Sequence, residues 1–201
     1  MQRADAGQPV LDETTDKDIL RRACNGVHRY GGKLFFQLSH SGIKGLESVN
    51  GAPPKHPEDF SLEELDRLVA QFAFAAKKCE DCGADGVEVS GIDFNRRAGQ
   101  KTPFYLDALK AAREGIGIPL FPVGGVFSRR TAEEILSQGF PLVSMSRALI
   151  CEPDFAAKLK SGAQDESKCL ACNGCYTIYR KRFVRCVQHT EEIEQFQMIP
   201  W

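Results

Sequence analysis

The sequence lacks an excess of charge of either sign, any long apolar run and any low-complexity segment. Its 26 Lys and Arg side chains nearly balance its 27 Asp and Glu side chains. Such a chain has no overall field to attract nucleic acid or an anionic membrane, so we expect neither as a partner. No apolar stretch approaches the length of a membrane span, and the polar N-terminal residues lack the apolar core of a secretory signal. We therefore expect a cytoplasmic protein.

What the sequence does contain is an ordinary globular composition with an unusual number of cysteines. Hydrophobic residues make up 42% of the 201 residues and charged residues 26%, which is sufficient for a sizeable buried core. There are 8 cysteines. In a reducing compartment, cysteines in this number are typical of metal-binding or reactive thiols rather than of a disulfide framework.

Four of the cysteines form a ligand-like pattern near the C-terminal end. Cys169, Cys172, Cys175 and Cys186 are spaced C-x2-C-x2-C-x10-C. The first three can all turn toward one point, and a fourth thiolate that returns later would complete an iron–sulfur or a zinc site. The spacing alone leaves both open, together with thiols that bind nothing. Of the others, Cys24 and Cys151 are predicted to be packing residues.

Strand-like and helix-like segments alternate along the chain. Short apolar runs predict strands at residues 33–38, 86–90, 118–123 and 141–146. Amphipathic spacing and capping residues predict helices at residues 15–30, 61–79, 102–114, 128–138 and 152–162. This alternation is typical of parallel βαβ units and hence of the α/β class. We expect one domain over residues 1–162 and a cysteine-rich C-terminal extension over residues 163–201.

In parallel α/β folds the ligand site lies beyond the carboxyl ends of the strands. Gly124 and Gly125 follow one predicted strand and could point backbone N–H groups at an anion, while Arg147 follows the next with a cation suited to phosphate. The alternative is a tight turn beside a solvated arginine. Gln37 has an amide that matches the mixed polar edge of a flavin or nucleobase. His40 could act as an acid or base, but a solvated loop histidine is the better prediction.

Four segments of the chain carry family-like motifs. They are residues 28–42, with the run Gly-Gly-Lys-Leu-Phe-Phe-Gln-Leu-Ser-His; residues 60–89; residues 119–153, with Val-Gly-Gly and Ser-Arg-Ala-Leu-Ile-Cys-Glu-Pro-Asp; and residues 167–175, with the first three motif cysteines. Together these segments resemble the old yellow enzyme family of NAD(P)H:flavin oxidoreductases, in the branch that contains 2,4-dienoyl-CoA reductase and trimethylamine dehydrogenase.

The resemblance implies part of a TIM (β/α)8-type barrel that binds FMN above its strand ends. Gln37 would hydrogen-bond the flavin ring, Gly124, Gly125 and Arg147 would hold the phosphate, and Ser146 would lie beside it. NAD(P)H would reduce FMN, which would pass electrons to an activated alkene or an Fe–S centre. The resemblance also favours a [4Fe–4S] cluster on the four motif cysteines, with zinc as the alternative. No catalytic residue is assigned.

The sequence departs from the family in the number of its strands. A complete barrel has eight strands in about 250 residues, whereas four are predicted here. The resemblance implies a segment with a substrate-anchoring His-x-x-His or His-x-x-Asn pair, a proton-donating Tyr and a basic residue beside the flavin, and this segment has no counterpart near residues 83–91. An incomplete barrel leaves open sheet edges, so we expect a second copy or a partner to complete it. Two alternatives follow: a noncatalytic partial barrel that keeps the phosphate-site and cysteine motifs, and an Fe–S or zinc module without flavin.

Overall fold

The computed structural model describes residues 3, 6–91, 97–104, 106–113, 116–178 and 184–189. The strands are β1 (Phe35–His40), β2 (Gly86–Gly91) and β3 (Leu120–Pro122). The α-helices are α1 (Lys17–His28), α2 (Glu47–Asn50), α3 (Leu62–Asp81), α4 (Leu106–Ala112), α5 (Arg129–Ser137), α6 (Arg147–Cys151), α7 (Phe155–Ser161) and α8 (Gly174–Ile178). Short 3-10 turns span Gly42–Lys44 and Pro57–Asp59.

The three strands form one parallel sheet in the order β1, β2, β3. Helix α3 makes the crossover from β1 to β2, and α4 the crossover from β2 to β3. The register places Gln37 of β1 opposite Glu88 of β2, and Glu88 opposite Phe121 of β3. The predicted α/β class with parallel strands is confirmed, and the described residues contribute three strands where a complete (β/α)8 barrel has eight.

The fourth predicted strand, at residues 141–146, is reduced to a single parallel bridge between Val123 and Ser144. The Ser144 amide donates a hydrogen bond to the Pro122 carbonyl at 3.3 Å. Pro122 and Pro141 carry no amide hydrogen, so they cannot donate the further bonds that would extend this ladder. The chain still follows the expected path, because the bridge keeps residue 144 beside the end of β3.

Three predicted helix ends agree with the observed caps, whereas the helix predicted at residues 102–114 was wrong at its start, since α4 begins at Leu106. The Ser61 hydroxyl accepts a hydrogen bond from the Glu64 amide at 3.2 Å, and the Glu64 carboxylate accepts one from the Ser61 amide at 2.9 Å. This reciprocal capping box begins α3. Ser128 caps α5 by accepting a bond from the Thr131 amide at 3.2 Å. Gly162 ends α7 with a left-handed φ of 75°.

The described residues form two apolar cores. The first lies between the sheet and its helices, and its most buried members are Cys24, Ala75, Cys79, Val87, Leu109, Ile135 and Phe140. The second contains Phe127, Ala148, Cys151, Phe155, Cys169, Ala171 and Cys186. Because the second core draws on both sides of residue 162, the cysteine-bearing segment packs directly against α6 and α7. None of the helices in the described ranges is long and apolar enough to cross a bilayer.

Candidate functional site

A cavity lies at the carboxyl end of the sheet, where the phosphate site is predicted. It is bordered by Gly91 of β2, by Gly124 and Gly125 after β3, and by Ser146 and Arg147 at the start of α6. The cavity volume is about 70 Å³. That space suits a phosphate group but is well below the roughly 300 Å³ of a pocket for a whole organic cofactor. The structure thus brings together four of the five residues predicted to bind FMN.

Gly124 and Gly125 form a turn that only glycine can adopt here. Their φ angles are 100° and 80°, in the left-handed region. A Cβ on Gly125 would lie 1.8 Å from the Thr102 carbonyl oxygen, and one on Gly124 would lie 2.6 Å from the Phe104 ring. The segment 102–104 therefore crosses directly over the turn and closes one side of the cavity.

Arg147 supplies a buried positive charge to this cavity. The residue is 6% exposed, and its guanidinium lies 5.6 Å from the ring centre of Phe104 and 5.1 Å from that of Phe127. Its Nη1 donates to the Asn173 side-chain oxygen at 2.5 Å and to the Ala171 carbonyl at 3.3 Å. Both acceptors are neutral, and in the described part of the chain no carboxylate forms an ion pair with Arg147. A buried cation with neutral partners favours an anion nearby.

Arg97 adds a second cation that sequence analysis did not identify. Its guanidinium lies 4.7 Å from the ring centre of Phe104, which itself borders the cavity. The guanidinium groups of Arg97 and Arg147 therefore both lie against the Phe104 ring. No motif in the sequence marks Arg97, because its position depends on the fold of the segment 97–104.

Gln37 is not part of the same cavity. Its side chain is exposed and donates a hydrogen bond to the Glu88 carboxylate on the neighbouring strand. It borders a separate shallow cavity with residues 8–11. The flavin-ring role of Gln37 stays a prediction. His40, at the end of the same strand, is half-buried, and burial lowers its pKa. Its Nδ1 accepts a hydrogen bond from the Gly42 amide at 3.1 Å.

The four motif cysteines border one small cavity. Cys169, Cys175 and Cys186 are buried, whereas Cys172 is exposed. This cavity measures about 10 Å³, roughly the space of one water molecule. Across the described ranges, no three His, Cys, Asp or Glu side chains converge so as to hold a metal ion. Four thiols are suitable ligands for a soft metal or an Fe–S cluster. The residues that border this cavity would have to move apart to admit either one.

A fifth thiol, that of Cys151, borders the same cavity. Cys151 lies in the second core, as expected of a packing residue, but it also borders this cavity together with Cys186. Burial and the adjacent Cys186 raise the pKa of Cys151. The prediction of a packing residue was incomplete, because Cys151 is distant in sequence from the motif and reaches it only through the position of α6.

Glu152 anchors the segment that leads into the cysteines. Its carboxylate is 1% exposed and accepts hydrogen bonds from the Ser167 hydroxyl at 2.8 Å, the Lys168 amide at 2.6 Å and the Gln164 side chain at 2.9 Å. Lys158 lies 3.7 Å away as a counter-ion. Burial alone would raise the pKa of Glu152, but these hydrogen bonds and the lysine outweigh it, so the pKa is lowered.

The chain is similar over part of its length to several known proteins. No family model matches the chain. It is 35% identical over 85 residues to the 4,4'-dithiodibutanoate disulfide reductase of Rhodococcus erythropolis, which covers 42% of this chain and 21% of that protein. It is 32% identical over 116 residues to the probable NADH-dependent flavin oxidoreductase YqiG of Bacillus subtilis, which covers 56% of this chain and 30% of that protein.

A third relative is the multifunctional alkene reductase/demethylase OYE of Caballeronia cordobensis. It is 29% identical over 82 residues, which cover 34% of this chain and 12% of that protein. The chain therefore spans less than half the length of each of these three curated relatives. At low identity and over part of their length, the chain is related to the old yellow enzyme family of NAD(P)H-dependent flavin oxidoreductases.

Proposed function

We propose that this chain is the FMN-binding part of an NAD(P)H-dependent oxidoreductase of old yellow enzyme type. The observation that carries the proposal is the buried Arg147 guanidinium, which has neutral hydrogen-bond partners and lies beside the Gly124–Gly125 turn. The phosphate of FMN would supply the anion that this cation requires. Relatives whose names specify flavin and NADH support the assignment of both to this chain.

The residues divide the binding task among them. Gly124 and Gly125 bring main chain to the phosphate without a side chain in the way, and Arg147 neutralises its charge. Gln37 would hydrogen-bond the flavin ring, which has to lie outside the 70 Å³ cavity, over the strand ends. When bound, FMN supplies the ring that accepts hydride from NAD(P)H and passes electrons to an activated alkene or an Fe–S centre. The other reactant is a small molecule.

The four cysteines that border one cavity favour a metal centre in addition. We propose a [4Fe–4S] cluster there, held by Cys169, Cys172, Cys175 and Cys186, with a zinc ion as the alternative. β1 pairs with β2 alone in the described part of the chain, so a second copy or a partner would cover the open edge of the sheet. Iron, sulfide and zinc analysis of anaerobically purified protein separates these alternatives, since iron with equal sulfide indicates a cluster.

Titration with FMN tests the flavin assignment, with riboflavin as the matched ligand that lacks the phosphate. We expect Arg147→Gln to weaken FMN binding by about tenfold or more, because hydrogen bonds to a charged group contribute about 1.5–3 kcal/mol. Riboflavin binding should change little. The matched control is Arg130→Gln, since the Arg130 side chain is 81% exposed and pairs with Glu134. Anaerobic bleaching of bound FMN by NADH or NADPH then reports hydride transfer.

The same FMN titration can also contradict the proposed function. If the fluorescence per FMN added is the same with and without the wild-type protein, FMN does not bind, and the noncatalytic partial barrel is favoured. Iron or zinc in such a protein would instead favour a metal module without flavin.

A further inference from the structure

We infer that Arg147 couples a phosphate anion in the Gly124–Gly125 cavity to the conformation of the cysteine loop, residues 169–175. The inference deepens the proposed function, because it rests on the phosphate site assigned there. Arg147 is the one residue that borders both the strand-end cavity and the cysteine cavity in the described part of the chain. Arg147 can therefore bind an anion in the strand-end cavity and also hold the cysteine loop through its hydrogen bonds.

The hydrogen bonds of Arg147 leave it free to serve both sides at once. Both bonds to the cysteine loop come from Nη1, which donates to Asn173 and to the Ala171 carbonyl. A guanidinium has five N–H donors in a fixed plane, and among the described residues Nη2 and Nε of Arg147 donate to no other group, so they can serve an anion. An anion bound there holds the guanidinium in place, and a fixed guanidinium holds the loop. The two events should thus favour each other.

The cysteine loop needs such support because its backbone is strained. Ala171 and Asn173 have φ angles of 54° and 63°, in the left-handed region that non-glycine residues seldom adopt. Alanine has no side-chain hydrogen bond to offset this unfavourable conformation. The Ala171 carbonyl accepts two bonds, from the Gly99 amide at 3.0 Å and from Arg147 at 3.3 Å. Loss of the Arg147 bonds should therefore let the loop open.

Thiol alkylation measures this coupling without any metal. Apo-protein is treated with iodoacetamide alone, with FMN, with inorganic phosphate or with riboflavin, and the rate at each cysteine is followed by peptide mass mapping. We expect FMN to slow alkylation of the buried Cys169 and Cys175 by about fivefold or more, the usual range for coupled sites. The exposed Cys172 should slow less, and riboflavin should protect little.

Two variants isolate the link. Asn173→Ala keeps Arg147 at the cavity but removes one of its contacts to the loop, so FMN should still bind while its protection of Cys169 and Cys175 falls. Arg130→Gln, the exposed-arginine control, should behave as wild type.

The failure of the coupling and the failure of the flavin assignment give different results. FMN that binds, by its own fluorescence, yet leaves the alkylation rates unchanged overturns the coupling alone. Protection by inorganic phosphate without FMN binding supports the coupling and overturns the flavin assignment. Failure of both FMN and phosphate to bind overturns both.

Discussion

The Nη1 atom of Arg147 lies 2.5 Å from the side-chain oxygen of Asn173, and this contact joins α6 to the cysteine loop. Both residues are buried, at 6% and 8% exposure. Helix α6 begins with Arg147 at the strand-end cavity and ends with Cys151 at the cysteine cavity. Five helical residues span only about 7.5 Å. The short helix thus places the two cavities side by side, so a flavin phosphate and a metal centre would lie at opposite ends of α6.

A carboxylate in place of the Asn173 amide should compete with a phosphate for Arg147. We expect Asn173→Asp to weaken FMN binding by about tenfold or more, since an internal ion pair would satisfy the guanidinium. Asp tolerates the left-handed backbone nearly as well as Asn, so the fold should be retained. Fluorescence titration gives the affinity, and thermal melting the stability. Asn25→Asp, an exposed change on α1, controls for the added charge. Equal FMN affinities of Asn173→Asp and wild type would exclude Arg147 as the phosphate ligand.

The glycine turn predicts a contrast between two glycines with nearly equal backbone angles. Gly125 has a φ of 80° and no room for a Cβ, whereas Gly99 has a φ of 78° and nothing within 4 Å of one. Gly99→Ala should destabilise by about 1 kcal/mol through backbone strain alone. Gly125→Ala adds a clash with Thr102, so we expect a loss of about 3 kcal/mol or more and no FMN binding. Urea unfolding monitored by circular dichroism measures both. Similar losses for the two variants would mean that the segment 102–104 does not cross the turn.

Much of the fold could be predicted from local signals. The capping box at Ser61 and Glu64, the cap at Ser128 and the left-handed Gly162 all act within a few residues, so sequence spacing reveals them. The fourth strand could not be predicted so reliably. Apolar residues at 141–146 favour a strand. Pro122 and Pro141 have no amide hydrogen to donate, however, and only the Val123–Ser144 bridge forms.

The candidate site could be predicted only in part, because several of its contacts join residues that are far apart in the sequence. Gly124, Gly125 and Arg147 follow strand ends, so their convergence was expected from the position of sites in parallel sheets. The link from Arg147 to Asn173 joins residues 26 positions apart, and no spacing rule indicates it. The contact of Cys151 with Cys186 likewise depends on how the C-terminal segment packs on α6.

Glu152 should make the cysteine-bearing segment sensitive to strong acid. Its lowered pKa means that the folded state holds the carboxylate charged more readily than the unfolded chain does. The stabilisation is therefore present above the unfolded value of 4.5 and is lost as pH falls through the lower, folded pKa. Glu152→Gln should lose about 2 kcal/mol or more at pH 7, because buried donors lose a charged acceptor. It should also flatten the acid limb of the curve of unfolding free energy against pH.

The matched control for Glu152 is Glu166→Gln, whose carboxylate is 63% exposed and pairs with Lys101. An exposed pair contributes little, so this variant should unfold as wild type does. An acid limb as steep in Glu152→Gln as in wild type would show that another group dominates it.

His40 should act in a different pH window and with the same sign. Burial lowers its pKa below 6.5, so the unfolded chain takes up a proton at a higher pH than the folded protein does. Stability should therefore be full above 6.5 and decline as pH falls toward the folded pKa, where the Nδ1 that accepts the Gly42 amide would have to be protonated. Asn offers an oxygen in a similar place without titrating, so His40→Asn should remove this slope while keeping the hydrogen bond. Urea unfolding at pH 5 and at pH 7.5 measures the difference, with His56→Asn as the exposed-histidine control. Because Glu152 acts below 4.5, a decline between pH 7.5 and pH 5 that persists in His40→Asn would have to come from a group other than these two.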